Sequence, residues 1–380
     1  MLLALHVEQY SGPQRSLLPR LAALREEGAV VTTLVPAPGP AAELAAQVGS
    51  VEVGIPGALM RPTSAAEGLR ALSSFRAQAR ATEAAARSRQ ADLVIVSSER
   101  MPGALLGARR AAAAALLYAG DPRPEGAARA ARALRALGGR WSNGVVAPSR
   151  YAAQGHRGAA VVPPPIAADP KPGSLPERAA ALRRALGIGA GDRLVASLGA
   201  ITRGRGQDTL IAALAESGRK WRLVIGGEPY AREPDLAFAA ELRRLAAGLD
   251  VAERVVFAGR VEDPFALYAA ANLFVNPARA AEAFGRAACE ALTTGCAVVS
   301  TDVGGVREAL RAGETALLVP PDAPGSLAAA VERLLGDPEL TARLAEAGAE
   351  DVGRRFAPAV TQPAFEAAVA AATAAAASPR

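Results

Sequence analysis

Lysine is nearly absent from this chain: of its 43 basic side chains only Lys171 and Lys220 are lysines, and the rest are arginines. Aromatic residues make up 4% of the sequence, and there are only two cysteines and two histidines. Cys289 and Cys296 are too few and too close in sequence for a disulfide framework. With no second cysteine pair or histidine cluster nearby to complete a zinc site, a reducing compartment and no structural metal are expected. The scarcity of aromatics and the lack of any run of five or six basic residues argue against a nucleic-acid partner, despite a net charge of +6. No apolar run reaches the roughly 18 residues of a spanning helix, and the opening Met1–Val7 is too short and lacks the basic flank of a signal peptide. A soluble cytoplasmic protein is the expectation. The abundance of alanine and the use of arginine for lysine fit a GC-rich coding bias.

What is present is a strict alternation. With 380 residues at about 150 per domain, and 51% hydrophobic content, the chain has room for two substantial cores. Short apolar runs such as Leu2–Val7, Val30–Val35, Leu93–Val96, Ala115–Tyr118 and Gly144–Ala147 are separated by alanine-, leucine- and arginine-rich stretches of helical spacing. The run Pro163-Pro164-Pro165, followed by Asp169-Pro170-Lys171-Pro172-Gly173, can enter neither a helix interior nor a central strand, and predicts an interdomain linker. Beyond it the alternation restarts, with strands expected at 194–197, 222–225, 255–257, 273–275, 297–300 and 316–319, and an alanine-rich helix at 364–377. The pattern predicts an α/β protein of two doubly wound domains facing a cleft, with ligands at the carboxyl ends of the strands.

The most informative stretch is Asn276-Pro277-Ala278-Arg279-Ala280-Ala281-Glu282-Ala283-Phe284-Gly285-Arg286-Ala287-Ala288-Cys289-Glu290-Ala291-Leu292-Thr293-Thr294-Gly295. A strand ends before it, a loop carries Glu282, Gly285 permits close backbone approach, and a helix runs to Gly295. Two carboxylates therefore stand beside a helix N-terminus, which favours anions, while carboxylates accept hydrogen bonds from sugar hydroxyls. Judged alone, Glu282 suits a solvated loop and Glu290 a surface helix position equally well. The segment, however, resembles the E-x7-E motif of glycosyltransferase family 4, and the following Ala297-Val298-Val299-Ser300-Thr301-Asp302-Val303-Gly304-Gly305 resembles that family's next block. Leu223–Gly227, Val255–Val261 and Ala316–Pro320 resemble further blocks, so that 192–335 matches almost throughout. The first half resembles the family more loosely, through Ser11-Gly12-Pro13, Ala91–Val96 and Ala147-Pro148-Ser149.

The resemblance implies a GT-B fold: a Rossmann-like acceptor-side domain at 1–168, a nucleotide-sugar-binding domain at 169–356, and a final helix, about 357–380, that crosses back to the first domain. It implies transfer of a sugar from a nucleotide-diphosphate sugar with retention of anomeric configuration. Glu282 is then the partner of donor-sugar hydroxyls and Glu290 of the ribose, with backbone N–H groups around Phe284, Gly285 and Arg286 at sugar or diphosphate oxygens. Gly12, Gly199, Arg260 and Val261 fall in donor-binding blocks. A leaving diphosphate needs a positioned cation. In Gly199-Ala200-Ile201-Thr202-Arg203-Gly204-Arg205-Gly206, Arg205 stands at the family's lysine position, whereas Ala200 occupies the place of its first arginine and Arg203 is the candidate replacement. No D-x-D occurs, so no metal or other cofactor is expected, arginines serving the diphosphate instead.

The first domain also departs from the family. Its strand ends, Val96-Ser97-Ser98-Glu99 and Tyr118-Ala119-Gly120-Asp121, lack the usual histidine; His6 and Asp121 are the acceptor-side candidates, and His156 is expected to be exposed. Residues 1–170 carry 19 basic and 12 acidic side chains, a net +7 against −1 for the remainder. Arg129, Arg132 and Arg135 form a partial helical stripe, after Arg123 and before Arg140, that suits either solvent or anionic lipid beneath a lipid-linked acceptor. The expected activity is that of a cytoplasmic retaining glycosyltransferase, peripheral on the inner membrane face if its acceptor is lipid-linked, with a glycan or small molecule as the other acceptor classes. A nucleotide-sugar-binding protein without catalysis and a GT-B-fold epimerase are the alternatives.

Overall fold

The computed structural model describes residues 1–7, 12–58, 65–121, 128–171, 173–218 and 220–377. The chain forms two compact units, Met1–Pro165 with Pro358–Arg380, and Ile166–Ala357. The chain leaves the first unit within the proline run, after Pro165 rather than after residue 168.

The first unit is built on a parallel sheet of β1 (Leu2–Ala4), β2 (Thr32–Val35), β3 (Ser50–Val53), β4 (Leu93–Val96), β5 (Ala114–Tyr118), β6 (Gly144–Ala147) and β7 (Ala160–Val161), in the order β3-β2-β1-β4-β5-β6-β7. All four residues of β4 are buried, as a parallel strand covered on both faces requires. The closing helix Pro358–Ala377 starts six residues before the alanine-rich stretch that signalled it and packs on β5 and β6, burying Phe365 and Ala372. Arg20, 2% exposed, fastens it: the guanidinium donates to the Thr361 carbonyl at 2.9 Å and lies 5.0 Å from the Phe365 ring centroid.

The second unit repeats the plan with β8 (Leu194–Leu198), β9 (Arg222–Gly226), β10 (Val255–Gly259), β11 (Leu273–Asn276), β12 (Ala297–Thr301) and β13 (Leu317–Val319), ordered β10-β9-β8-β11-β12-β13. Side chains alternate between its two faces. Val195, Leu223, Ile225, Leu273, Val275 and Val299 enter one core, and Leu194, Ala196, Val224, Phe274 and Val298 the other. Both sheets are doubly wound and Rossmann-like, and their strand order reverses between β1 and β4 and between β8 and β11. Among the described residues no helix is long and apolar enough to cross a membrane.

Candidate functional site

The loops after β8 and β11 emerge side by side, because these strands are neighbours where the sheet order reverses. The first loop carries Arg205 between two glycines. Gly206 has φ +67°, and a Cβ there would collide with the Pro277 carbonyl oxygen. Gly204 accepts two backbone hydrogen bonds across the gap, from Arg279 N and Ala280 N, each at 3.0 Å. The second loop, 277–285, has no regular structure of its own and is held from outside. The Thr301 hydroxyl donates to the Ala278 carbonyl at 2.5 Å, and Gly305 N donates to the Glu282 carbonyl at 2.8 Å. Gly304, at φ +54°, presses on the Glu282 backbone where a Cβ would not fit.

These restraints bring Arg205 and Glu282, 77 residues apart in sequence, into an ion pair between Nη1 and Oε1. The Glu282 side chain is 13% exposed and that of Arg205 43%, so the carboxylate is fixed in the floor while the guanidinium faces solvent. The second carboxylate oxygen of Glu282 accepts from Asn276 Nδ2 at 3.0 Å, and the same amide donates to Ser300 Oγ at 3.2 Å. Neither Asn276 nor Ser300 was among the sequence candidates. Their signal was available: Asn276 ends an otherwise apolar buried strand, and Ser300 with Thr301 ends the next one.

Gly285, at φ +93°, starts helix Arg286–Thr293, whose first N–H groups have no partners within the helix. Phe284 is buried, its ring edge-on to Phe356 with centroids 5.0 Å apart, so only its backbone remains for a ligand. Glu290 is not a surface residue: it is 2% exposed, accepting from Arg286 Nε at 2.7 Å and from the Tyr268 hydroxyl at 3.1 Å. Burial pushes the neighbouring Cys289 thiol up to about 12, and likewise that of Cys296, so both are inert packing groups.

Other candidates lie apart from this pair. Arg203, expected beside Arg205, forms an exposed ion pair with Glu241 at 2.5 Å and covers the Phe238 ring. Arg260 pairs with Glu262 at 2.7 Å, Val261 packs against the core under β9, and Gly199 donates to the Gly226 carbonyl at 3.0 Å. Arg279, also missed from the sequence, joins Asp208 and Asp322 at 3.0 and 2.6 Å.

In the first unit a separate polar group gathers at the ends of β1, β4 and β5. His6, buried, is bonded through Nδ1 to Ser97 Oγ at 2.9 Å, and the Ser98 hydroxyl donates to Asp121 at 2.5 Å. Burial holds the His6 pKa below its ordinary value; Asp121 opposes that shift and Arg100 reinforces it. Gly12 opens helix Gly12–Glu26, with open space where a Cβ would stand. Two expectations fail here. His156 is buried rather than exposed, with Nε2 on Glu99, because Glu99 also turns inward. Arg135 leaves the stripe expected to face solvent or anionic lipid and donates to the same Glu99 at 3.2 Å. Ser11, Arg123 and the side chains of Arg129 and Arg132 lie outside the described residues.

Residues 179–351 match the family model of glycosyl transferases group 1. The lipopolysaccharide core biosynthesis mannosyltransferase LpsB of Rhizobium meliloti (strain 1021) is 32% identical over 177 residues, 45% of this chain and 49% of that protein. The D-inositol 3-phosphate glycosyltransferase of Nocardia farcinica is 37% identical over 175 residues, 43% of this chain and 38% of that protein. The chain thus spans less than half the length of these curated relatives. Among solved structures, Anabaena HepE in complex with UDP and glucose superposes with a TM-score of 0.83 over 97% of this chain and 98% of its own, at 20% identity. WaaG, a glycosyltransferase involved in lipopolysaccharide biosynthesis, gives 0.69 over 97% and 98%, at 19% identity. The two Rossmann-like units are those of the GT-B fold, and the match to the glycosyl transferases group 1 model falls within the second of them.

Proposed function

We propose that this protein is a retaining, metal-independent glycosyltransferase that moves a sugar from a nucleotide-diphosphate donor to an acceptor hydroxyl. The observation that carries this reading is the Arg205–Glu282 pair at the reversal point of the second sheet, inside the group 1 domain. Breaking the bond between the anomeric carbon and the diphosphate leaves the electron pair on the departing oxygen. Arg205, with its guanidinium open to solvent, is the cation for that charge. Glu282, held by Asn276, is the acceptor for sugar hydroxyls, while the N–H groups of Gly285 and Arg286 at the helix start meet diphosphate or sugar oxygens. A ribose at Glu290 would compete with Arg286 and Tyr268 for its oxygens. His6 and Asp121 are the acceptor-side groups of the first unit in this reading.

Solved HepE structures hold UDP with glucose, and UDP-glucose, which supports a nucleotide-sugar donor here. One relative named above takes its name from lipopolysaccharide core biosynthesis and the other from D-inositol 3-phosphate, so the acceptor is left as a hydroxyl compound, lipid-linked or soluble. A non-catalytic nucleotide-sugar-binding protein is the second reading, favoured by Ala200 and by the engagement of Arg203 with Glu241. Thermal-shift titration with UDP, GDP, ADP and their sugar conjugates tests the site, since a ligand of the folded state raises Tm. One diphosphate should stabilise the protein, and its sugar conjugate should be turned over to free diphosphate. Stabilisation without turnover, across a panel of alcohols and glycans, selects the second reading; no stabilisation by any nucleotide rejects both.

A further inference from the structure

The loop that presents Glu282 has no secondary structure to define its shape, yet its carboxylate must meet a guanidinium from another loop. Backbone contacts through Gly204 and Gly206 bring the two loops together at 277–280. One side chain locks that junction. Arg279, 27% exposed, donates from Nε to Asp322 Oδ1 at 2.6 Å, and from Nη2 to Asp208 Oδ2 and Thr209 Oγ1, both at 3.0 Å. Asp208 and Thr209 lie in the first turn of helix Gln207–Glu216, directly after the Arg205 loop. Asp322 lies between β13 and helix Pro324–Gly336. Arg279 therefore joins the Glu282 loop to the base of the Arg205 loop and to a third element, three residues from the carboxylate it would control.

We infer that Arg279 is a positioning residue, which fixes the spacing between Arg205 and Glu282 by bridging Asp208, Thr209 and Asp322 without itself touching substrate. This rests on the assignment of Arg205 and Glu282 to the donor site. The bridge needs an arginine: a planar fork with several donors spans two carboxylates and a hydroxyl, whereas a lysine ammonium is a single point charge on a flexible stem. Partial burial disfavours the charge, but hydrogen bonds and attraction to Asp322 and Asp208 outweigh it, and the pKa of Arg279 stands above its ordinary value. Arg279 is charged at every working pH.

The test compares wild type, Arg279→Lys and Asp322→Asn in turnover of the sugar nucleotide identified by the thermal-shift panel, with nucleoside diphosphate binding and Tm measured on the same samples. Asp322 is 58% exposed at its side chain and sits at φ +54°, a conformation asparagine also tolerates, so the second variant keeps the backbone while removing one arm of the clamp. Because misplacement by about 1 Å costs up to about 100-fold in rate, Arg279→Lys should lower kcat by about 10- to 100-fold. Asp322→Asn should lower it by a smaller factor, with KM for the donor and Kd for the diphosphate changed less than about threefold in both, as expected when only transition-state alignment is lost. A merely structural role would lower Tm and the folded fraction but leave kcat per folded molecule at the wild-type value. Wild-type kcat in both variants, with an active wild-type enzyme, overturns the inference alone. A wild type that neither binds nor turns over any sugar nucleotide overturns the donor-site reading and this inference with it.

Discussion

In the proposed reading, the ion pair between Arg205 and Glu282 sets the two charges assigned to the donor against each other, and this has a measurable sign. A nucleoside diphosphate must take Arg205 away from Glu282, whereas a sugar nucleotide offers hydroxyls to the carboxylate in exchange. Glu282→Gln keeps the side-chain shape and an oxygen for Asn276 to reach, but removes the competing charge. Two unit charges about 4 Å apart interact by ~4 kcal/mol at an effective dielectric of about 20. The Arg205 side chain is 43% exposed, however, and pairs of that kind retain about 1 kcal/mol or less after screening. The variant should therefore bind the nucleoside diphosphate more tightly, by up to about fivefold. The sugar nucleotide loses a hydrogen bond to a charged acceptor, worth about 1.5–3 kcal/mol. Its affinity should fall, by up to about 30-fold after the gain at Arg205 is set against the loss. Isothermal titration of both ligands reads the two changes, and the diphosphate effect should shrink in 1 M salt, where the screening length is about 3 Å. Arg205→Ala should weaken both ligands. Unchanged or weaker diphosphate binding by Glu282→Gln would refute the competition, and parallel losses for both ligands would give Glu282 a purely structural role.

Three further outcomes follow from the geometry. His6 is held neutral by burial, so below pH 6.5 the unfolded chain takes up a proton that the folded chain refuses; Tm should decline as pH falls from 6.5, and less steeply in His6→Gln, an equal slope counting against the assignment. Gly206→Ala places a Cβ against the Pro277 carbonyl at a φ of +67°, and the backbone conformation alone costs about 1–2 kcal/mol, so chemical denaturation should show at least that loss, and wild-type stability would mean the loop simply moves. Glu290→Ala strands Arg286 in a largely buried position and should destabilise the protein by about 3 kcal/mol in urea unfolding; a change below about 0.5 kcal/mol would mean that solvent already screens the pair.

Much of the second unit was legible in the sequence because its signals are local. The strands are short unbroken apolar runs, glycines mark the ends where the backbone must turn, and the Glu282-to-Glu290 spacing survives translation into a loop followed by a helix. The proline run announced where the chain passes between units, and the alanine-rich tail announced a helix. The first unit was harder to read for a physical reason: its polar residues at strand ends, Ser97, Ser98, Glu99 and Asp121, acquire meaning only through partners from other strands. An isolated histidine after a glycine, as at His156, looks solvated until Glu99 is found to face it from 57 positions away.

The sequence by itself determined which elements form and which carboxylates and arginines are available, since hydrophobic periodicity, turn residues and motif spacing act over a few neighbours. Only the tertiary structure decided which of those charges meet. It placed Arg205 on Glu282 and sent Arg203, two residues earlier, to Glu241; it buried Glu290 between Arg286 and Tyr268; and it set Asn276, Ser300 and Arg279 around the site. The reason is that the pairings of Arg205 with Glu282 and of Arg279 with Asp208 depend on the reversal of strand order between β8 and β11, which brings together loops more than 70 residues apart and leaves no trace in any short window of sequence.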